Sequence, residues 1–310
     1  LAFRNDVLAW PHMTNVAKVL LRIVVVAVLT GFGYGAWKFI SEIDFPTSLD
    51  GDTGMLPSDT DGVNGGVRLR EVKETRHEVV EGTGGCDVKM TYALVDETTG
   101  ISDETRERMN DDILEAMIDF FPADNRVLDI AATSFIKTCQ IDLQNLVDQM
   151  DDPLMVAQQG WTTDITYTVH QNEKGILSLA LSNNSYFGGA HPNTLTLFLT
   201  FDTATGKQIT LRDVLAEDGL QTFEVKEKQW LVENKSELLF EESLNEFKAY
   251  LAAPSDETTQ RYVDDALFYV TPQAIGVFYN AYAIAPYASG PVEVLLPRAD
   301  LGTALREQFR

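Results

Sequence analysis

Four histidines and two cysteines are the scarce side chains of this 310-residue chain whose placement would mark most nucleophilic, acid–base or metal sites. A metal centre needs three or four His, Cys, Asp or Glu side chains converging on one point, and a nucleophile needs a base within hydrogen-bond reach. His12, His77, His170 and His191 stand far apart, and none has a second ligand at metal spacing. His77-Glu78 opens like a zinc helix, but residue 81 is Glu and the surrounding alternation favours a strand. A Gly-x-Ser-x-Gly elbow and a Gly-x-x-x-x-Gly-Lys phosphate loop are both absent. Asp50, Asp52, Asp59 and Asp61 fall outside the register of a calcium loop. An acidic chain offers many accidental carboxylate pairs, so pairing alone assigns no acid–base couple. The expectation is a protein that is not an enzyme, with no catalytic residues, no metal and no cofactor.

The two cysteines, Cys86 and Cys139, carry a different chemistry. They lack Cys-x-x-Cys spacing and a neighbouring His, which argues against a redox or metal thiol. In an oxidising compartment a disulfide is the economical reading, and two buried thiols are the alternative. A bridge would remove denatured-chain entropy worth roughly 4 kcal/mol and pin a strand to a helix.

The compartment is read from the first forty residues. No charge falls between Ile23 and Trp37, and if Arg22 and Lys38 reach out to the headgroups the apolar stretch runs from Val16 to Ile40. Arg4, Lys18 and Arg22 precede it while Glu42 and Asp44 follow, so the N-terminus is expected in the cytoplasm and the rest outside. Residues 1–40 are therefore expected to be a short cytoplasmic tail and signal anchor in the cytoplasmic membrane. The alternative is a cleaved signal peptide and a secreted protein, with Gly33-Tyr34-Gly35-Ala36 as a cleavage site; on either reading the start is Leu1 or Met13, which opens a conventional short n-region. Residues 41–66, rich in Gly, Asp, Ser, Thr and Pro, read as a flexible acidic linker.

The chain carries 47 acidic and 24 basic residues, a formal charge of −23. Residues 1–40 hold four basic and one acidic side chain, so the remainder holds 20 basic against 46 acidic, or −26. Such a surface repels nucleic acid and anionic lipid and suits a cationic partner.

Two regions follow the linker, divided near residue 153. In 67–152, a small α+β domain holding the disulfide, Val67–Glu81 and Cys86–Val95 read as strands joined by a Gly-rich turn. Ser102 caps a helix that Pro122 stops, and a second helix runs from about Arg126 to Met150. In 153–310, Trp161–Gln171, Ile176–Ser185 and Asn193–Asp202 form a meander. Thr210 caps a short turn, a single charged helical stretch runs from Leu220 to Leu251, and three late strands complete the sheet before a terminal helix from Ala299. The fold class is α+β: an antiparallel sheet with helices packed on one face, preceded by one N-terminal transmembrane helix.

Four ordered motifs then stand out: Tyr186-Phe-Gly-Gly-Ala-His-Pro192, Phe201-Asp-Thr-Ala-Thr-Gly-Lys-Gln-Ile-Thr-Leu-Arg-Asp-Val-Leu215, Phe268-Tyr-Val-Thr-Pro-Gln-Ala-Ile-Gly-Val-Phe-Tyr-Asn280 and Ala283-Ile-Ala-Pro-Tyr-Ala-Ser-Gly-Pro-Val-Glu-Val294. Residues 160–305 with these motifs resemble the RsiV-type C-terminal domain family. That family includes a lysozyme-sensing membrane anti-sigma factor, and a similar domain sits beside some peptidoglycan deacetylase modules. Residues 67–152 are similar to the companion domain through their strand, helix and strand order. The resemblance implies an extracytoplasmic module of the bacterial cell envelope that binds rather than cuts. It does not bring the anti-sigma role, because about 15 to 22 residues before the span are too few to bury a folded interface.

Within the motifs, Gly188 and Gly189 supply a tight turn that either presents His191, with Tyr186 and Phe187 nearby, or is simply held by it. Tyr279, Tyr282 and Tyr287 offer an aromatic platform of which alternate members must pack inward. Tyr186, Phe187, His191, Tyr282 and Tyr287 are the candidate binding residues. The expected partner is a cationic wall-active protein such as lysozyme; the alternative is a peptidoglycan- or glycan-binding envelope protein with or without weak hydrolase activity, and no nucleic acid is expected.

Overall fold

Alternating side chains on both sides of the turn Gly82–Gly85 build an antiparallel hairpin of β1 (Leu69–Glu78) and β2 (Cys86–Val95). In the computed structural model, residues 65–121, 127–149, 160–255 and 262–310 are described. The expected span at 16–40 lies outside them, as does the expected linker apart from Gly65 and Gly66. Among the described residues no helix is long and apolar enough to cross a membrane. The two glycines already belong to the fold: Asn172 clamps the next residue, Val67, through both its amide N–H and its carbonyl.

The Ser102 side chain caps α1 (Asp103–Ile118), and α2 (Leu128–Gln149) follows. The meander is β3 (Trp161–Glu173), β4 (Ile176–Tyr186) and β5 (Asn193–Asp202). A parallel ladder from Cys86↔Trp161 to Met90↔Ile165 joins β2 to β3, so residues 67–152 and 153–310 share one five-stranded sheet of order β1-β2-β3-β4-β5. A parallel pair needs a long crossover, and α1 and α2 supply it.

The late strands β6 (Leu267–Val270), β7 (Ala274–Tyr279) and β8 (Val292–Pro297) do not complete that sheet as expected; they form a second, three-stranded one. The free edge of β5 is already occupied. Residues 207–209 fold back on it, with Asp202 N–H donating to Lys207 O and Ile209 N–H to Thr200 O, while the Asn280 amide binds both the N–H and the C=O of Thr196.

The expected single helix from Leu220 to Leu251 is two, α3 (Leu220–Lys235) and α4 (Glu241–Ala252). The break turns Leu239 into the core and lets Phe240 N–H donate to Ile284 O at 2.9 Å. The expected terminal helix is a single turn, Arg298–Leu301, followed by 3-10 turns.

Alternation in β4 sets the layers. Leu177, Leu179 and Leu181 point to one face, and Ser178, Ala180 and Ser182 to the other. The Leu face, with Val88 and Met90 of β2, packs under α1 and α2. The small-residue face takes the second sheet: Ser178 Oγ accepts from Val270 N–H, and Phe198 of β5 stacks on Tyr269 at 5.1 Å. Phe223 and Leu231 of α3 and Phe247 of α4 close the far side of that sheet over Ile275, Val277 and Val294.

Candidate functional site

The turn after β4 and the turn after β7 meet at one end of the fold. Gly188 and Gly189 have φ of 80° and 115°, a region open mainly to glycine, and they reverse the chain so that His191 faces the later turn. The Asn280 clamp on Thr196 fixes that later turn against β5. There the His191 and Tyr287 rings stack with centroids 3.7 Å apart and planes 18° from parallel, and Tyr282 lies 5.6 Å from Tyr287.

Pro192 O ties the stack together. It accepts from Tyr287 OH at 2.7 Å and from His191 Nδ1 at 2.8 Å, which sets the His191 tautomer, since a carbonyl can only accept. Burial, with Tyr282 beside it, raises the Tyr287 phenol, so it stays a donor at neutral pH. Tyr282 is 44% exposed and holds a φ of 68°, uncommon for a residue with a side chain. Its ring is the exposed one of the three, His191 and Tyr287 being half-buried.

Of the five candidate residues the structure brings three together, His191, Tyr282 and Tyr287. Tyr186 supports them from below by donating to Gly189 O. Phe187 goes elsewhere: neighbours along a strand leave on opposite faces, and its ring meets Phe135 of α2 at 5.5 Å and Trp161 of β3 at 5.9 Å. Tyr279 turns inward to a group that sequence reasoning missed.

That group is a buried charge cluster on α3. Glu224, Glu227 and Lys228 are 1%, 0% and 7% exposed. Tyr279 OH donates to Glu227 Oε1 at 2.7 Å, and Lys228 Nζ stands 3.2 Å from Glu227 Oε2 and 3.9 Å from Glu224 Oε1. The ammonium also lies 4.3 Å from the Tyr262 ring centre and 4.7 Å from that of Phe247. Burial pushes the Glu227 carboxyl above its ordinary range, against the pull of Lys228 and Tyr279. Leu220, Phe223, Glu224, Glu227, Lys228 and Leu231 are spaced by threes and ones, so the charges lie on the apolar stripe itself, a signal visible in the sequence.

Cys86 and Cys139 form a disulfide joining β2 to α2. His77 lies in β1 and pairs with Asp87 through Nδ1 at 2.9 Å. Among the described residues no group of three His, Cys, Asp or Glu side chains is placed to hold a metal. A cleft of about 340 Å³ between α3 and β8, lined by Lys226, Trp230, Glu233 and Leu295, shares no residue with the ring stack. Half-buried imidazole and phenol rings with an exposed Tyr282 beside them can accept the face of a sugar, an apolar side chain or a cation at their open side.

Two family models match parts of the chain: residues 98–194 are similar to "Deacetylase PdaC", and residues 217–299 to "Protein of unknown function (DUF3298)". The first spans α1 to the start of β5 and takes in β3 but not β2, its partner in the parallel ladder, and the second spans α3 to the end of β8. No curated protein matches the chain. Among solved structures, a DUF3298-family member from Bacteroides fragilis is 20% identical with a TM-score of 0.57, over 79% of this chain and 96% of that one. A DUF3298-family protein from Pseudomonas aeruginosa is 19% identical with a TM-score of 0.48, over 78% and 96%. The Bacteroides likeness concerns the fold alone.

Proposed function

We propose that this chain is a membrane-anchored, extracytoplasmic binding module of the bacterial cell envelope that captures a cationic wall-active protein of the lysozyme class. Matches to the PdaC and DUF3298 models suggest an envelope-associated module. The observation that carries the reading further is the stack of half-buried His191 and Tyr287 with the exposed Tyr282 beside it, in a chain whose residues beyond 40 carry a formal −26. Rings of this kind serve as anchors in interfaces, and a charge of that size speeds and orients a cationic partner. The module binds rather than cuts, and the stack supplies recognition.

The test is calorimetric titration of the full chain, in mild detergent, with a c-type lysozyme at low and high salt, with muramidase activity followed in the same samples. Expected are a micromolar or tighter Kd that weakens with salt, and a loss of at least tenfold in Tyr287→Ala. No heat at any salt sinks this reading. Salt-independent binding to peptidoglycan fragments in that case would make the ring stack a sugar platform instead.

A further inference from the structure

The elbow between α3 and α4 carries two exposed apolar side chains next to the turn that bears Tyr282 and Tyr287. Leu238 and Phe240 are 41% and 37% exposed, while Leu239 between them is buried and holds the elbow to the core. The hydrogen bond from Phe240 N–H to Ile284 O seats the elbow on the turn that carries Tyr282 and Tyr287. Two large apolar side chains in water at a point already fixed by packing represent burial not yet gained.

The charges around them have one sign. From Glu233 to Glu246 the chain has five glutamates and one lysine, and that lysine, Lys235, lies over the Trp230 ring at 5.9 Å. Glu237, Glu241 and Glu242 are exposed, and none of the three has an ion-pair partner among the described residues. Two surface carboxylates elsewhere do have such partners, Asp129 in Arg76 at 2.6 Å and Asp264 in Arg212 at 2.8 Å.

We propose that the binding surface runs from the ring stack onto this elbow, where Leu238 and Phe240 receive an apolar side chain of the cationic partner and Glu237, Glu241 and Glu242 face the basic residues around it. The inference rests on the reading proposed above and adds a second contact region to it. The stack supplies orientation. The elbow supplies apolar burial inside a ring of complementary charge, the arrangement in which surrounding contacts keep water from the anchors.

The test uses the full chain and a c-type lysozyme as the probe, comparing wild type, Leu238→Ser/Phe240→Ser and Glu241→Gln/Glu242→Gln by calorimetry at two salt concentrations. Serine suits position 240, which is the N-cap of α4, so the first variant should stay folded with an unchanged Tm. Expected are a Kd at least tenfold higher for Leu238→Ser/Phe240→Ser, and a shallower salt dependence for Glu241→Gln/Glu242→Gln. Wild-type binding that Tyr287→Ala abolishes, while both elbow variants stay within twofold of wild type, overturns the extension and leaves the reading standing. A wild-type chain that gives no heat overturns both.

Discussion

Lys228 shows how one residue can hold a buried site together. Two carboxylates and an ammonium share a buried space, and the ammonium, helped at Glu227 by the Tyr279 hydroxyl, offsets the repulsion of Glu224 and Glu227. Replacing it with a side chain of similar length leaves both acids without a counter-charge. Lys228→Met is expected to cost about 3–5 kcal/mol at pH 7, the scale for breaking a buried pair on one side. Glu227 in the folded protein already binds its proton more readily than in the unfolded chain. Acid therefore favours the folded form at this position, and the deficit of the variant should shrink between pH 7 and pH 5. Urea denaturation of both proteins at the two pH values measures this. A cost below about 1 kcal/mol at pH 7 would mean that water reaches the charges. Residue types alone pointed the other way, because Lys-Glu-Lys in a charged helix reads as a solvated face; the three-and-one spacing with Phe223 and Leu231 is what betrays it.

At the scale of elements, α2 depends on its disulfide. Its buried side chains, Leu128, Ala131, Ala132, Phe135, Ile136, Cys139 and Leu143, thin out toward the C-terminal end, while Val127, Ile130 and Ile141 remain exposed. The bridge to Cys86 sits near the last of these anchors. A Cys86→Ser/Cys139→Ser protein is expected to lose roughly 4 kcal/mol, as closure of a loop of this length predicts. Amide exchange should rise in α2 well before it rises in β4. Equal protection of the two elements in the variant would show that packing alone fixes the helix. Most elements were legible: β2, β5 and the Ser102 cap fall where alternation and capping chemistry put them. The elbow was not, because no glycine or proline marks it; its cause is the docking of Leu239 and Phe240, a tertiary event. The second sheet was hidden for a similar reason. Strand patterns report which face is buried, not which edge is free, and the edge of β5 was taken by residues 207–209 and the Asn280 amide.

For the whole molecule, the joint between the two sheets is the sensitive place. The register of β3 against β4 slips between Val169 and Gln171, and the residue left over is His170. Its ring lies 4.0 Å from Tyr269 and 5.8 Å from Phe198, and its Nε2 is shut from solvent without a hydrogen-bond partner among the described residues. Tyr269 reaches this position because Gly276 opposite it has no Cβ, which would fall 2.2 Å from the phenol ring. Burial lowers the His170 pKa to about 4, from an ordinary value of 6.5. Between those values the unfolded imidazole takes a proton that the folded one refuses, so stability is present above pH 6.5 and is lost as pH falls toward 4. The expected loss is about 1–3 kcal/mol, allowing for partial exposure of the ring. His170→Phe should flatten this part of the Tm profile between pH 4 and 7; an unchanged slope would assign the acid loss to other groups. Arg298 secures the same joint, reaching from the end of β8 to Gln171 Oε1 at 2.8 Å and to Thr271 O.

The parallel ladder between β2 and β3 also has a consequence in time. The meander β3 to β5 closes through short turns, so it can form as soon as its own residues are available. The hairpin β1 to β2 is made earlier but has nothing to pair with until Trp161–Ile165 exist, more than sixty residues later, and until α1 and α2 have crossed the sheet. The first strands among the described residues are thus among the last to be placed. In that interval the apolar side of β2, Cys86 included, remains open to any oxidant or chaperone that meets the growing chain.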